Sequence, residues 1–144
     1  MKYLGLDIGQ KRIGVAVGEI LARELLTLRA GERESFYVEP ARTRALEEIK
    51  TIVEEGAVSG IVAGLPVKED GGPSEESAKI SAFCDGLSTV VGFEVKTVDE
   101  TLTSFMARDI LGGQGLSGKE LESRLDQASA ALILQQYLEE NAKL

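Results

Sequence analysis

The sequence predicts an α/β protein built on one mixed sheet, and three observations carry that prediction. Two alternating runs at the amino end, separated by a short polar turn, read as an antiparallel hairpin. Further on, short apolar runs of strand length alternate with segments whose apolar residues recur at helical spacing, as expected of parallel strands joined by crossover helices. The 144 residues suffice for one domain over residues 1–144 with a substantial core, and are too few for two independent ones.

From Tyr3 to Gly9, Leu4, Leu6 and Ile8 alternate with Gly5, Asp7 and Gly9, giving a strand with one apolar face and one nearly bare one. After the turn Gln10-Lys11-Arg12, Ile13 to Val17 reads as a second strand with Gly14 and Ala16 on one face. A third strand is expected within Glu24–Leu28, followed by a charged loop at Gly31-Glu32-Arg33-Glu34. Beyond Pro40, Ala45, Leu46, Ile49, Ile52 and Val53 recur at helical spacing and stop at Gly56, a residue suited to a helix C-cap. Ile61 to Leu65 is a short buried strand, and Lys68 to Pro73 is a loop. Ile80, Phe83, Cys84 and Leu87 mark a second helix, and Phe93 to Glu100 a fifth strand. Thr103 or Ser104 is placed to cap a helix through about Leu111. After Gly112-Gly113-Gln114-Gly115, Ser117 and Glu120 have the spacing of a capping box for a last helix toward Leu138, with Leu121, Leu125, Ala128 and Leu132 as its core stripe.

Composition narrows the chemistry. No segment approaches the roughly 20 apolar residues that cross a bilayer, and Met1-Lys2 leads directly into a strand pattern without a signal core, which predicts a cytoplasmic location away from membranes. The sequence contains no histidine, so Ser-His-Asp triads, imidazole acid–base chemistry and His-ligated zinc are excluded. The single cysteine, Cys84, falls on an apolar helix face and is expected to be a buried hydrophobe. Any catalysis must therefore rest on carboxylates, assisted by Lys, Arg, Ser or Thr. Sixteen basic against 24 acidic residues give a net charge of −8, an unfavourable global sign for binding phosphates.

Three carboxylates are locally out of place: Asp7 within an apolar strand, Glu100 at the end of the last strand and Asp126 inside the last helix. An Asp between Leu6 and Ile8 is costly to bury unless it is paired or binds a cation, and Gly5 and Gly9 leave space around it. Asp126 shares a helix side with Ser129, Ala130 and Ile133, mostly small residues that admit close approach of another element. If the three converge, mutual repulsion calls for a cation, and Mg²⁺ or Mn²⁺ prefers such oxygen ligands. Each also has a plain structural alternative: a strand end for Asp7 and Glu100, a solvated ion pair for Asp126. Lys11 and Arg12 lie where they would reach substrate phosphates at the rim of such a site, or simply form a solvated turn.

Leu4-Gly5-Leu6-Asp7-Ile8-Gly9-Gln10-Lys11-Arg12-Ile13-Gly14-Val15-Ala16-Val17 resembles the opening signature of the YqgF/RuvX family. Ile61-Val62-Ala63-Gly64-Leu65-Pro66, Val98-Asp99-Glu100-Thr101-Leu102-Thr103-Ser104 and the segment from Asp126 to Leu138 resemble that family's later blocks, in the same order and over nearly the whole chain. The resemblance implies an RNase H-like fold, a five-stranded mixed sheet whose first three strands are antiparallel and the remainder parallel, flanked by helices. It implies catalytic and metal-binding roles for Asp7, Glu100 and Asp126. Family members are described as nucleases related to Holliday junction resolvases and linked to maturation of the 5′ end of pre-16S rRNA. The implied chemistry is two-metal phosphodiester hydrolysis, with ions about 3.5–4 Å apart. Thr101 stands where the family usually has Arg, Gly18-Glu19 replaces a common Ser-Asp, and Leu116 to Leu125 is less basic than usual. Each departure lowers the expected phosphate affinity.

Four functions follow as expectations. The first is a metal-dependent nuclease acting on structured RNA, in 5′ processing of pre-16S rRNA during ribosome biogenesis. The second is a resolvase-like endonuclease on branched DNA, which would need a homodimer rather than a monomer. The third is a non-catalytic partner of ribosome-assembly proteins. The fourth is an actin-like or sugar-kinase-like ATPase, disfavoured because such enzymes close two related domains over the nucleotide.

Overall fold

The structure, a computed structural model, describes residues 1–66, 72, 74–100 and 118–142. Its elements are β1 (Tyr3–Ile8), β2 (Arg12–Gly18), β3 (Ala22–Arg29), α1 (Ala41–Glu55), β4 (Gly60–Leu65), α2 (Glu75–Val91), β5 (Val95–Asp99) and α3 (Gly118–Ala142). The predicted loop within Lys68–Pro73, Thr101, the helix after Thr103, the break at Gly112–Gly115 and the Ser117 cap lie wholly or mostly outside the described residues.

The five strands form one sheet in the order β3-β2-β1-β4-β5. β1–β2 and β2–β3 pair antiparallel, while β1–β4 and β4–β5 pair parallel, which is the mixed α/β architecture expected. Period-2 alternation divides the sheet into two unlike faces. Leu4, Leu6, Ile8, Ile13, Val15, Val17, Ile61 and Ala63 belong to the larger core, which also takes in Ala45 and Ile49 of α1 and Ile80, Phe83 and Leu87 of α2. The opposite face carries Gly5, Asp7, Gly14, Ala16, Val62 and Gly64, and on it lies α3, through Ala130, Ile133, Leu134, Tyr137 and Leu138. The stripe predicted for this helix forms a smaller cluster instead, with Leu121, Leu125 and Leu132 partly buried around Ala128.

Local chemistry fixes the element ends. α2 opens with a capping box between Ser74 and Ser77 and closes at Gly92, whose φ of 85° only glycine adopts cheaply. α1 ends in a Schellman arrangement, but the left-handed residue is Ala57 (φ 53°) rather than Gly56. Its closure is held by Val58 N–H to the Val53 carbonyl at 3.0 Å, with both valines buried in the larger core. Among the described residues, no helix is long and apolar enough to cross a membrane.

Candidate metal centre

The bare face of the sheet lets a helix backbone come down almost onto it. A Cβ added at Gly5 would stand 2.6 Å from Leu134 Cβ and 2.7 Å from the Ala130 carbonyl oxygen, and one at Gly14 would stand 1.9 Å from the Asp126 carbonyl oxygen. Asp7 pairs with Gly14 across the β1–β2 ladder. Seating α3 on Gly14 therefore delivers Asp126 to the end of β1 that carries Asp7. Glu100 reaches the same place from the other side. Its N–H donates to the Leu65 carbonyl at 2.8 Å, one step past the β4–β5 ladder, and its carboxyl lies beside Gly64, where an added Cβ would be 3.1 Å from Oε2. The carboxyl ends of the parallel strands β1, β4 and β5 thus meet the first turns of α3, the usual location of a site in an open α/β sheet.

The electrostatics record the convergence. Asp7 is partly buried, and its pKa is raised well above the ordinary carboxylate value, first by loss of solvent, then by the charges of Glu100 and Asp126 and by a hydrogen bond with Glu100. A carboxyl–carboxyl hydrogen bond requires one of the two to hold a proton. Ser129 on α3 acts in the opposite sense and favours the ionised form of Asp7. Asp126 is 15% exposed and accepts a hydrogen bond from Arg12 Nε at 2.7 Å.

A cleft of about 390 Å³ opens over Asp7 and Glu100, lined also by Ile8, Gly9, Pro66, Glu76 and Ile80. Glu76, in the first turn of α2, accepts a hydrogen bond from the Tyr37 hydroxyl at 2.8 Å. Burial, then Glu76, then the more distant Asp7, push the Tyr37 pKa upward, so this tyrosine lies within electrostatic reach of the carboxylates.

The structure thus brings Asp7, Glu100 and Asp126 into mutual reach and places Arg12 among them as the partner of Asp126. Lys11 is placed elsewhere: its ammonium donates to the carbonyls of Gly31, Glu32 and Glu34, tying the β1–β2 turn to the following loop. Glu76, Tyr37 and Ser129 are site residues that sequence reasoning did not single out. Glu76 and Tyr37 sit far apart along the chain, and no local signal joins them. Ser129 carried a usable signal, being three residues after Asp126 on the same helix side.

The donor set suits a hard divalent cation. Asp7 and Glu100 offer carboxylate oxygens that repel each other unless a proton or a cation lies between them. As the side chains stand, no three His, Cys, Asp or Glu residues among those described are poised around one point. Asp126 is engaged by the Arg12 guanidinium.

A family model described as "RuvX: Holliday junction resolvase" matches residues 1–140. A protein of Chloroflexus aggregans named "Putative pre-16S rRNA nuclease" is 36% identical over 139 residues, covering 94% of this chain and 92% of that protein. A protein of the same name from Pseudomonas syringae pv. tomato is 37% identical over 145 residues, covering 98% of this chain and 93% of that one. Among solved structures, RuvC of Thermus thermophilus in complex with a Holliday junction substrate superposes with a TM-score of 0.59 at 16% identity, covering 98% and 96% of the two chains. The fowlpox virus Holliday junction resolvase gives the same TM-score at 13% identity, covering 98% and 99%. At such identities the structural likeness speaks for the fold alone.

Proposed function

The chain belongs to the RuvX family, and from that premise we propose that it is a metal-dependent nuclease, hydrolysing phosphodiester bonds in structured RNA during 5′ processing of pre-16S rRNA. The observation that carries the reading is the Asp7 carboxyl beneath an open cleft, held in the protonated direction by burial and then by the adjacent Glu100 and Asp126. Such an arrangement is unfavourable in a metal-free fold and becomes favourable once a divalent cation replaces the shared proton.

Mg²⁺ or Mn²⁺ would be held by Asp7 and Glu100, and by Asp126 once it leaves Arg12. When bound, such ions supply activation of a water and stabilisation of the leaving oxygen. The chain's own residues do the rest. Asp7 and Glu100 give up their shared proton, and Gly9, without a side chain, lines the cleft through which a phosphate would approach. Arg12, released from Asp126, becomes a donor for a substrate phosphate oxygen. Glu76, which accepts from the Tyr37 hydroxyl, lines the cleft alongside Asp7 and Glu100.

The test is Mn²⁺- or Mg²⁺-dependent cleavage of 5′-extended pre-16S rRNA fragments, single-stranded RNA and four-way DNA junctions by the wild type and by Asp7→Asn. Metal-dependent cutting of the rRNA precursor that is lost in the variant supports the proposal. Cutting confined to junctions transfers the activity to branched DNA, and no cutting, or equal cutting by both proteins, leaves a non-catalytic ribosome-assembly partner as the better account.

A further inference from the structure

Ser129 is fully buried on α3, and among the described residues its Oγ is a buried side-chain polar atom with no hydrogen-bond partner. Leaving a hydroxyl desolvated and unpaired is unfavourable. A serine or threonine within a helix has a ready escape, donation to the carbonyl four residues earlier. Among the described residues, Thr51 donates to Glu47 at 3.0 Å, Ser88 to Cys84 at 2.9 Å and Thr89 to Asp85 at 3.2 Å in this way. Ser129 has the same option toward Leu125 and leaves it unused.

Its place explains what the hydroxyl is kept for. It lies three residues after Asp126, on the helix that rests on Gly14, the cross-strand neighbour of Asp7. It stands close enough to Asp7 to favour that residue's ionised form, yet short of a formed hydrogen bond while Asp7 is bonded to Glu100. A buried donor facing a carboxylate whose partner is another carboxyl group is a donor waiting for that arrangement to change.

We propose that Ser129 is a positioning residue of the carboxylate centre, whose hydroxyl donates to Asp7 once a divalent cation occupies that centre. The inference rests on the metal-dependent reading above and adds to it the group that fixes the orientation of Asp7. Loss of such an orienting partner lowers metal affinity by about 10–100-fold in comparable sites.

The experiment measures Mn²⁺ affinity by titration calorimetry and metal-free melting temperature for wild type, Ser129→Ala and Ser129→Cys. Ser129→Ala is expected to melt no lower than wild type without metal, since it deletes an unpaired hydroxyl, and to bind Mn²⁺ at least tenfold more weakly. Ser129→Cys, close in size with a weak donor, is expected to fall between the two, and it carries the test should Ser129→Ala not fold. Wild-type Mn²⁺ affinity in both variants overturns the role of Ser129 and leaves the metal reading intact. So does a lower metal-free melting temperature with unchanged Mn²⁺ affinity, the mark of a purely structural serine. A wild type that binds no Mn²⁺ overturns the metal reading and this inference with it.

Discussion

Gly14→Ala tests the contact on which the whole site depends. The added methyl would fall 1.9 Å from the Asp126 carbonyl oxygen, 2.2 Å from its carbonyl carbon and 2.9 Å from its Cβ, whereas real Cβ contacts below 3.0 Å are essentially never seen. Nothing nearby yields cheaply, because two of the three atoms are helix backbone. Relief requires α3 and the sheet to part by about 1.1 Å at Asp126. Overpacking of this kind costs typically about 1–3 kcal/mol, and the rigidity of the neighbour argues for about 3 kcal/mol. For a chain of this length that corresponds to a fall in Tm of roughly 10 °C. The same displacement carries Asp126 away from Asp7, and misplacement of about 1 Å at a reacting centre costs on the order of 100-fold in rate. Thermal unfolding by circular dichroism and single-turnover cleavage of the rRNA precursor read the two effects together. Gly92→Ala is the control: its φ of 85° makes a side chain strained by about 1–2 kcal/mol, but nothing lies within 4 Å of the added Cβ, so cleavage is expected to be unchanged. A Gly14→Ala protein with wild-type Tm and wild-type cleavage would refute the seating of α3 on β2.

Asp7→Asn separates stability from activity. Because the folded-state pKa of Asp7 is raised above its unfolded value near 3.8, the native protein holds this proton more tightly. Its stabilising effect is complete below that value and is lost as pH rises through the raised pKa. Metal-free wild type should therefore lose stability over that interval while Asp7→Asn does not, and the variant should be more stable at neutral pH by about 1–3 kcal/mol while inactive; urea titrations across the pH range check the sign. Arg12→Ala should lower metal-free stability by about 1–2 kcal/mol, since its pair with Asp126 is only partly shielded, yet tighten Mn²⁺ binding by removing the competitor for that carboxylate; calorimetry that finds weaker binding contradicts the exchange. The buried Cys84 thiol, its pKa pushed up to about 12 by loss of solvent, should resist iodoacetamide at pH 8 in the folded protein and react on unfolding, as mass spectrometry of the two states would show.

What the sequence made legible follows from where it is periodic. β1 and β2 alternate cleanly because one face packs on a hydrophobic core and the other must stay small beneath α3, so the glycines and alanine that looked bare are the floor of the helix. β3 was legible only as a fragment because Leu25-Leu26 breaks its alternation. The ladder shifts there, with Val15 opposite Leu26 and Ala16 opposite Glu24, which turns Leu25 out to 38% exposure. The stripe of α3 was misassigned because the helix is apolar on more than one side. Which side meets the sheet is decided by Gly5 and Gly14, a tertiary condition that helical spacing does not contain. Asp7 stood out as a charge within an apolar strand, and Glu100 and Asp126 followed as the other misplaced acids. Their meeting depends on the register of β5 against β4 and on the seat of α3.

The charge of the chain then takes on a sharper meaning than its sign alone. With a net charge of −8, affinity for a phosphate backbone has to come from locally placed cations, and several of the basic side chains are engaged within the fold. Arg12 is on Asp126, Arg44 on Glu34 at 2.6 Å, Arg124 on Glu24 at 3.0 Å, and Lys11 is on backbone carbonyls. The cleft itself is lined by Asp7, Glu76 and Glu100 and repels phosphate until positive charge enters it. On the proposed reading, divalent cations supply both the chemistry and much of the local attraction. Arg12 links the two roles, since the cation that draws Asp126 into the centre also frees the guanidinium that neutralised it. Substrate binding and assembly of the centre are then one coupled event, and a chain with few phosphate contacts to spare gains selectivity by making each depend on the other.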